Sequence, residues 1–229
     1  MLHAITRKKA HCTTQGNEDP LTSSVFGQLL YLPVELMWEI LRRASYSTCL
    51  PQTCGKIDFY EFWPKWGNEG TGNARFVEPD LFIRFAELDL LIEAKRGDER
   101  GQRRSQWMAE IRAYQNEYPD ASRRLYFMAL GGLSNEASER IAVGSFEQEV
   151  VKCRWSRILA ASKEALHQLE RCNYATATQN AQIRVLEDLI TYFALHGYAI
   201  GAWLEEIDLT GWRTPAPADA RVLRFTTHA

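Results

Sequence analysis

Apolar and polar residues alternate through two neighbouring stretches in the middle of the chain. Leu81, Ile83 and Phe85 take every second position of the first, and Leu90, Ile92 and Ala94 take every second position of the next. This period of two is the pattern of strands with one apolar face. The opposite face carries Asp80, Phe82 and Arg84, then Asp89, Leu91, Glu93 and Lys95. With Ala86 and Glu87 as a two-residue loop, Phe85 faces Leu88 and Asp80 faces Glu93. With residues 86 to 89 as the loop, Phe85 faces Leu90 and Asp80 faces Lys95. Either even loop leaves Asp80, Glu93 and Lys95 on one side of the sheet, whereas an odd loop needs a bulge. Ala-Glu is not a pair that primed turns favour, which tilts the reading to the longer loop.

The same patterning predicts the remaining elements. Residues 1 to 17 are polar. A helix then opens at Glu18-Asp19-Pro20, with Asp19 suited to the N-cap and Pro20 to the first helical position. Val25, Phe26, Leu29 and Leu30 form its apolar stripe. A second helix follows Pro33 and ends near Arg42-Arg43. Residues 45 to 56 read as loop, Ile57 to Phe62 as a first strand, and Trp63 to Gly72 as an irregular glycine-rich stretch. After the alternating pair, a helix runs from about Gln102 to Tyr118 with Trp107, Ile111 and Tyr114 on its core face. Leu125 to Leu130 is an almost unbroken apolar run, the mark of a central strand. A short helix over 134 to 140, a strand over 150 to 155, and helices from about Ser156 to Cys172 and Asn180 to His196 follow. Val222 to Phe225 is a candidate edge strand in the tail.

Opposed side chains on paired strands stand about 5 Å apart at Cβ, and two carboxylates at that range repel unless a cation lies between them. Oxygen donors of this kind suit Mg2+ or Mn2+. Pro79-Asp80, with Glu93-Ala94-Lys95 on the next strand, resembles the motif of the PD-(D/E)XK nuclease superfamily, the restriction-endonuclease-like fold. The resemblance spans about residues 18 to 155. It implies an α/β fold with an αβββαβ core, a mixed central sheet flanked by helices, and C-terminal helical additions over about 156 to 229, all as one domain.

The activity implied is Mg2+-dependent (or Mn2+-dependent) hydrolysis of nucleic-acid phosphodiester bonds, with Asp80, Glu93 and the Ala94 carbonyl as metal ligands and Lys95 holding the attacking water. Relatives frequently draw a Gln from the helix after the second strand; carried over, this is Gln106. The Gln-x-x-x-Tyr signature of some branches is missing, since Glu110 stands four residues past Gln106. An acid near an early helix also joins the metal in relatives. Glu18 is the first choice, because Glu-Asp-x-Leu-Thr before Val-Phe resembles the opening segment of small nucleases of this kind; Glu35 and Glu39 are alternatives. DNA is the expected substrate, with RNA open. Systems of anti-phage defence, mobile elements or repair are the expected settings, and partner proteins or a second copy of the chain remain open. A nuclease fold that binds without cutting is the competing expectation.

Composition changes this picture little. The 229 residues are 45% apolar with a formal net charge of −2, so any nucleic-acid surface must be a local patch. Residues 95 to 124 hold eight Lys/Arg against five Asp/Glu. Arg96, Arg100, Arg103 and Arg104 are the candidate phosphate contacts in that stretch. Trp63 and Trp66 are candidates for stacking on bases, although packing is the commoner use of tryptophan. Five scattered cysteines fit no zinc spacing and point to reduced thiols in the cytoplasm. No apolar run reaches membrane-spanning length, and Arg7, Lys8 and Lys9 precede no apolar segment, so no signal peptide is expected.

Overall fold

The structure, a computed structural model, describes residues 18–119, 122–144, 146–171 and 176–198, and of Glu18 the backbone alone. Two helices open the described chain, α1 (Glu18–Leu29) and α2 (Val34–Ala44). Strands β1 (Ile57–Phe62), β2 (Leu81–Phe85) and β3 (Leu88–Ala94) follow, then α3 (Arg104–Glu117), β4 (Arg124–Leu130), β5 (Glu139–Val143), β6 (Phe146–Cys153), α4 (Trp155–Glu170) and α5 (Ala177–Leu195). The strands form one mixed six-stranded sheet in the order β1-β2-β3-β4-β6-β5. β1, β2 and β3 are antiparallel neighbours, β3, β4 and β6 run parallel, and β5 pairs antiparallel with β6.

Each face of the sheet has its own core. Leu81, Ile83, Phe85, Leu90, Ile92 and Ala94 face a cluster built with α1, α2, α4 and α5. Phe82, Leu91, Phe127 and Ala129 face a second cluster with Trp107, Ile111 and Tyr114 of α3. The alternation in the sequence thus sorts correctly onto the two faces. β3 is buried along its whole length, as a strand covered by helices on both sides must be.

The hairpin corrects the favoured register. Phe82 pairs with Leu91 and Arg84 with Asp89, so the loop is Ala86-Glu87 alone, not residues 86 to 89. Neither loop residue has positive φ, so this is not a primed turn. Its two amides are used elsewhere: Ala86 donates to the Lys56 carbonyl (2.9 Å) and Glu87 to that of Cys54 (3.2 Å). Contacts from the preceding segment replace the turn chemistry that the loop lacks. The register is further pinned by Arg84, which makes a two-pronged ion pair with fully buried Asp89 (2.9 and 2.8 Å), while the Tyr114 hydroxyl donates to the same carboxylate (2.7 Å).

Other boundaries moved for identifiable reasons. The helix expected over 134 to 140 is absent; the chain there is irregular and then forms β5, with Ile141 and Val143 turned inward and Gly144 (φ +64) reversing it into β6. Asp19 lies within α1 instead of capping it. α3 begins at Arg104 because the Gln102 amide is already committed to the Gly132 carbonyl (3.1 Å). α5 begins at Ala177, three residues early, behind a capping box of Thr176 and Gln179. The tail strand expected at 222 to 225 lies outside the described residues. No helix among the described residues is long and apolar enough to cross a membrane.

Candidate active site at the open end of the hairpin

Extending the β2–β3 register by one pair sets Asp80 opposite Glu93. Asp80 is held from two sides. Its Oδ2 accepts from the Ala94 amide (2.8 Å) and its Oδ1 from the indole Nε1 of Trp63 (3.3 Å). Trp63 is buried and sits at φ 51, a conformation that bulky residues avoid. That strained turn brings its ring to the carboxylate. Trp66 is buried too, packed on Phe82 and Tyr114. Both tryptophans are therefore packing residues, and the expectation that they stack on bases is withdrawn.

Glu93 is 1% exposed. Its Oε1 accepts from the Lys95 ammonium and from Gln106 Nε2 (2.6 Å). Lys95 Nζ also donates to the Ala94 carbonyl (3.0 Å). The structure thus brings Asp80, Glu93, Ala94, Lys95 and Gln106 together. Gln106 reaches the site because α3 packs across this face, with positions four apart facing the strand. The turn before it, Gln102, ties the site down: its Nε2 donates to the Glu93 carbonyl (3.0 Å) and its Oε1 accepts from Trp107 Nε1 (2.6 Å).

The backbone of Lys95 is clamped as well. Its amide donates to the Leu130 carbonyl (2.7 Å), and its carbonyl accepts from Trp155 Nε1 (2.7 Å). Gly131 and Gly132, both at positive φ, lie against it. A Cβ on Gly132 would come within 2.6 Å of Lys95 Cβ, and one on Gly131 within 2.6 Å of the Gly97 carbonyl oxygen. The glycine pair that ends β4 is what lets the Lys95 strand end pass so close.

Glu110 was not anticipated as a site residue. It is 1% exposed, one helical turn past Gln106, and within hydrogen-bonding reach of Glu93. Its Oε2 has no hydrogen-bond partner. Burial, with the charge of Asp80 adding to it, pushes the Glu110 carboxyl up to about 8. Burial and the neighbouring Glu110 charge likewise hold Glu93 well above the ordinary carboxyl range, against the opposing pull of Lys95. The signal was present in the spacing: Gln102, Gln106 and Glu110 form one i, i+4, i+8 stripe.

The other candidates divide. Glu18's side chain lies outside the described residues. Glu35 and Glu39 are exposed; Glu35 acts electrostatically on Cys54 and Glu39 meets Arg43 (3.7 Å), so neither belongs to this cluster. Arg104 is spent on Glu139 (3.2 Å) and the Arg140 carbonyl (3.1 Å), and Arg96 is directed at the His196 carbonyl (3.5 Å). Arg100 and Arg103 are exposed in the segment between Lys95 and α3.

Among the described residues, no group of three or more His, Cys, Asp or Glu side chains is positioned to hold a metal ion. The donor chemistry nevertheless suits a hard cation. Asp80, Glu93 and the Ala94 carbonyl offer oxygens, and the unpartnered Glu110 Oε2 adds a buried one beside them.

No family model matches the chain, and no solved structure matches it. It is similar to an uncharacterized protein of Pasteurella multocida, 26% identical over 211 residues that cover 85% of this chain and 75% of that one.

Proposed function

We propose that this chain is a divalent-metal-dependent nuclease with a restriction-endonuclease-like core, running from α1 through the β1-β2-β3 meander and α3 to β4. Support comes chiefly from one arrangement: Asp80 opposite Glu93 on one sheet face, with the Lys95 ammonium and the Gln106 amide both on the same Glu93 oxygen. Surface charges on a hairpin would be solvated; these carboxylates are buried and held by donors.

Asp80, Glu93 and the Ala94 carbonyl would hold Mg2+ or Mn2+. Such an ion supplies Lewis acidity, activating water and neutralising charge on a phosphoryl oxygen. The protein does the rest. Trp63 and the Ala94 amide fix the Asp80 carboxylate, and Gln106 fixes Glu93. Lys95 adds positive charge where a phosphate becomes more anionic during attack. Arg100 and Arg103, exposed between Lys95 and α3, would meet backbone phosphates. DNA is the proposed polymer.

The test is incubation of the purified chain with Mg2+ and single- or double-stranded DNA and RNA. Cleavage is expected, lost in chelator and reduced at least about a hundredfold by Asp80→Asn or Lys95→Ala, with circular dichroism showing each variant folded. Cleavage at the wild-type rate in either variant would refute the assignment. Binding of nucleic acid without cutting would instead favour a non-cutting nuclease-fold subunit.

A further inference from the structure

We infer that Lys95 and a divalent cation compete for one position on Glu93 and Ala94, and that Glu110, buried beside Glu93, turns in as a third carboxylate once the cation has entered. This rests on the nuclease reading above and adds how its site is switched.

Lys95 Nζ touches Glu93 Oε1 and the Ala94 carbonyl oxygen at once. These are a carboxylate and a carbonyl oxygen, the hard donors that a small divalent cation takes. An ammonium and a doubly charged ion cannot share them, since like charges repel and each oxygen pair offers one concave position. Charge favours the ion. Among the described side chains gathered here, Asp80, Glu93 and Glu110 set three carboxylates against the one Lys95 ammonium. With all three ionised the excess is two negative charges, the complement of one divalent cation.

Glu110 supplies an independent observation. Its side chain is buried, lies beside Glu93, and keeps one carboxylate oxygen without a hydrogen-bond donor. A buried oxygen left so is costly unless something positive meets it. Asp80 and Glu93 have their donors, so Glu110 is the carboxylate with capacity to spare.

The route for Lys95 is also built in. Its side chain is 19% exposed, and its stem runs between two glycines. A Cβ on Gly101 would sit 3.4 Å from Lys95 Cγ and Cδ, and one on Gly132 would come within 2.9 Å of Cγ. Side chains at either position would pin the stem; glycines leave it room to swing off Glu93 toward a substrate phosphate. Ion binding thereby sends the lysine where the reaction needs its charge, and the site arms only when loaded.

The experiment measures Mn2+ affinity of the full chain, without nucleic acid, by electron paramagnetic resonance of the free ion. Lys95→Met removes the competitor and is expected to tighten binding by about tenfold or more, and Glu110→Gln to weaken it by about as much, each about 1.4 kcal/mol. Circular dichroism melts establish that the variants are folded. Should Glu110→Gln fail to fold, Glu110→Asp, which keeps the charge and draws it back by one methylene, is expected to weaken binding in its place. Wild-type or weaker affinity in Lys95→Met overturns the competition, and unchanged affinity in the Glu110 variant overturns the third carboxylate. Those outcomes leave the nuclease reading standing. Failure of the wild-type chain to bind Mn2+ overturns both.

Discussion

Replacing Glu110 by Gln tests the electrostatics of the site directly through folding stability. Glu110 is fully buried beside Glu93 and Asp80, and its carboxyl is pushed up to about 8 from an ordinary value of 4.5. The folded chain therefore binds this proton more tightly than the unfolded chain does. The stabilisation is complete below the unfolded value and is lost as pH rises through the folded one. Each pH unit in that window costs about 1.4 kcal/mol, so the wild-type chain should lose about 4 kcal/mol between roughly pH 5 and pH 8. Glu93, raised for related reasons, adds to the same trend. Gln keeps the shape of Glu110 and removes its charge in both states. In Glu110→Gln, Glu93 faces Lys95 without the second carboxylate, and the part of the slope that Glu110 contributes should vanish, leaving what the burial of Glu93 adds. The assay is urea unfolding followed by tryptophan fluorescence, in chelator, at several pH values across the window. Parallel stability profiles for wild type and Glu110→Gln would show that Glu110 ionises freely and would sink the reasoning.

Three further outcomes are expected. Asp89→Ala removes a fully buried carboxylate and leaves Arg84 and the Tyr114 hydroxyl without it, so chemical denaturation should show a loss of about 3–5 kcal/mol; a loss below about 1 kcal/mol would mean the network does not hold the register. Gly132→Ala combines a positive φ with a Cβ crowding Lys95; it should lower stability by at least about 1–2 kcal/mol and reduce cleavage, whereas wild-type values of both would remove the clamp. Gln106→Ala frees one side of Glu93 and should cut cleavage more than substrate binding, with the split read from kcat and KM.

The sequence alone carried the parity of the hairpin, because a strand's side chains alternate whatever surrounds them. Leu81, Ile83 and Phe85 on one face fixed Asp80 and Glu93 to the other before any contact was known. The periodic stripes of α2 and α3, the unbroken apolar run of β4 and the strand β1 were equally legible. The hairpin register was not, because the Ala86-Glu87 turn is stabilised by Lys56 and Cys54 carbonyls and by the Arg84–Asp89–Tyr114 network, all of which arrive from elsewhere in the chain. β5 was missed since its pairing with β6, and not local propensity, makes it a strand. Glu110 stood in the right stripe, but only the packing of α3 against β3 could show that its carboxyl is buried against Glu93. Burial and proximity across the sheet belong to the assembled fold, and from them come the raised carboxyls of Glu93 and Glu110.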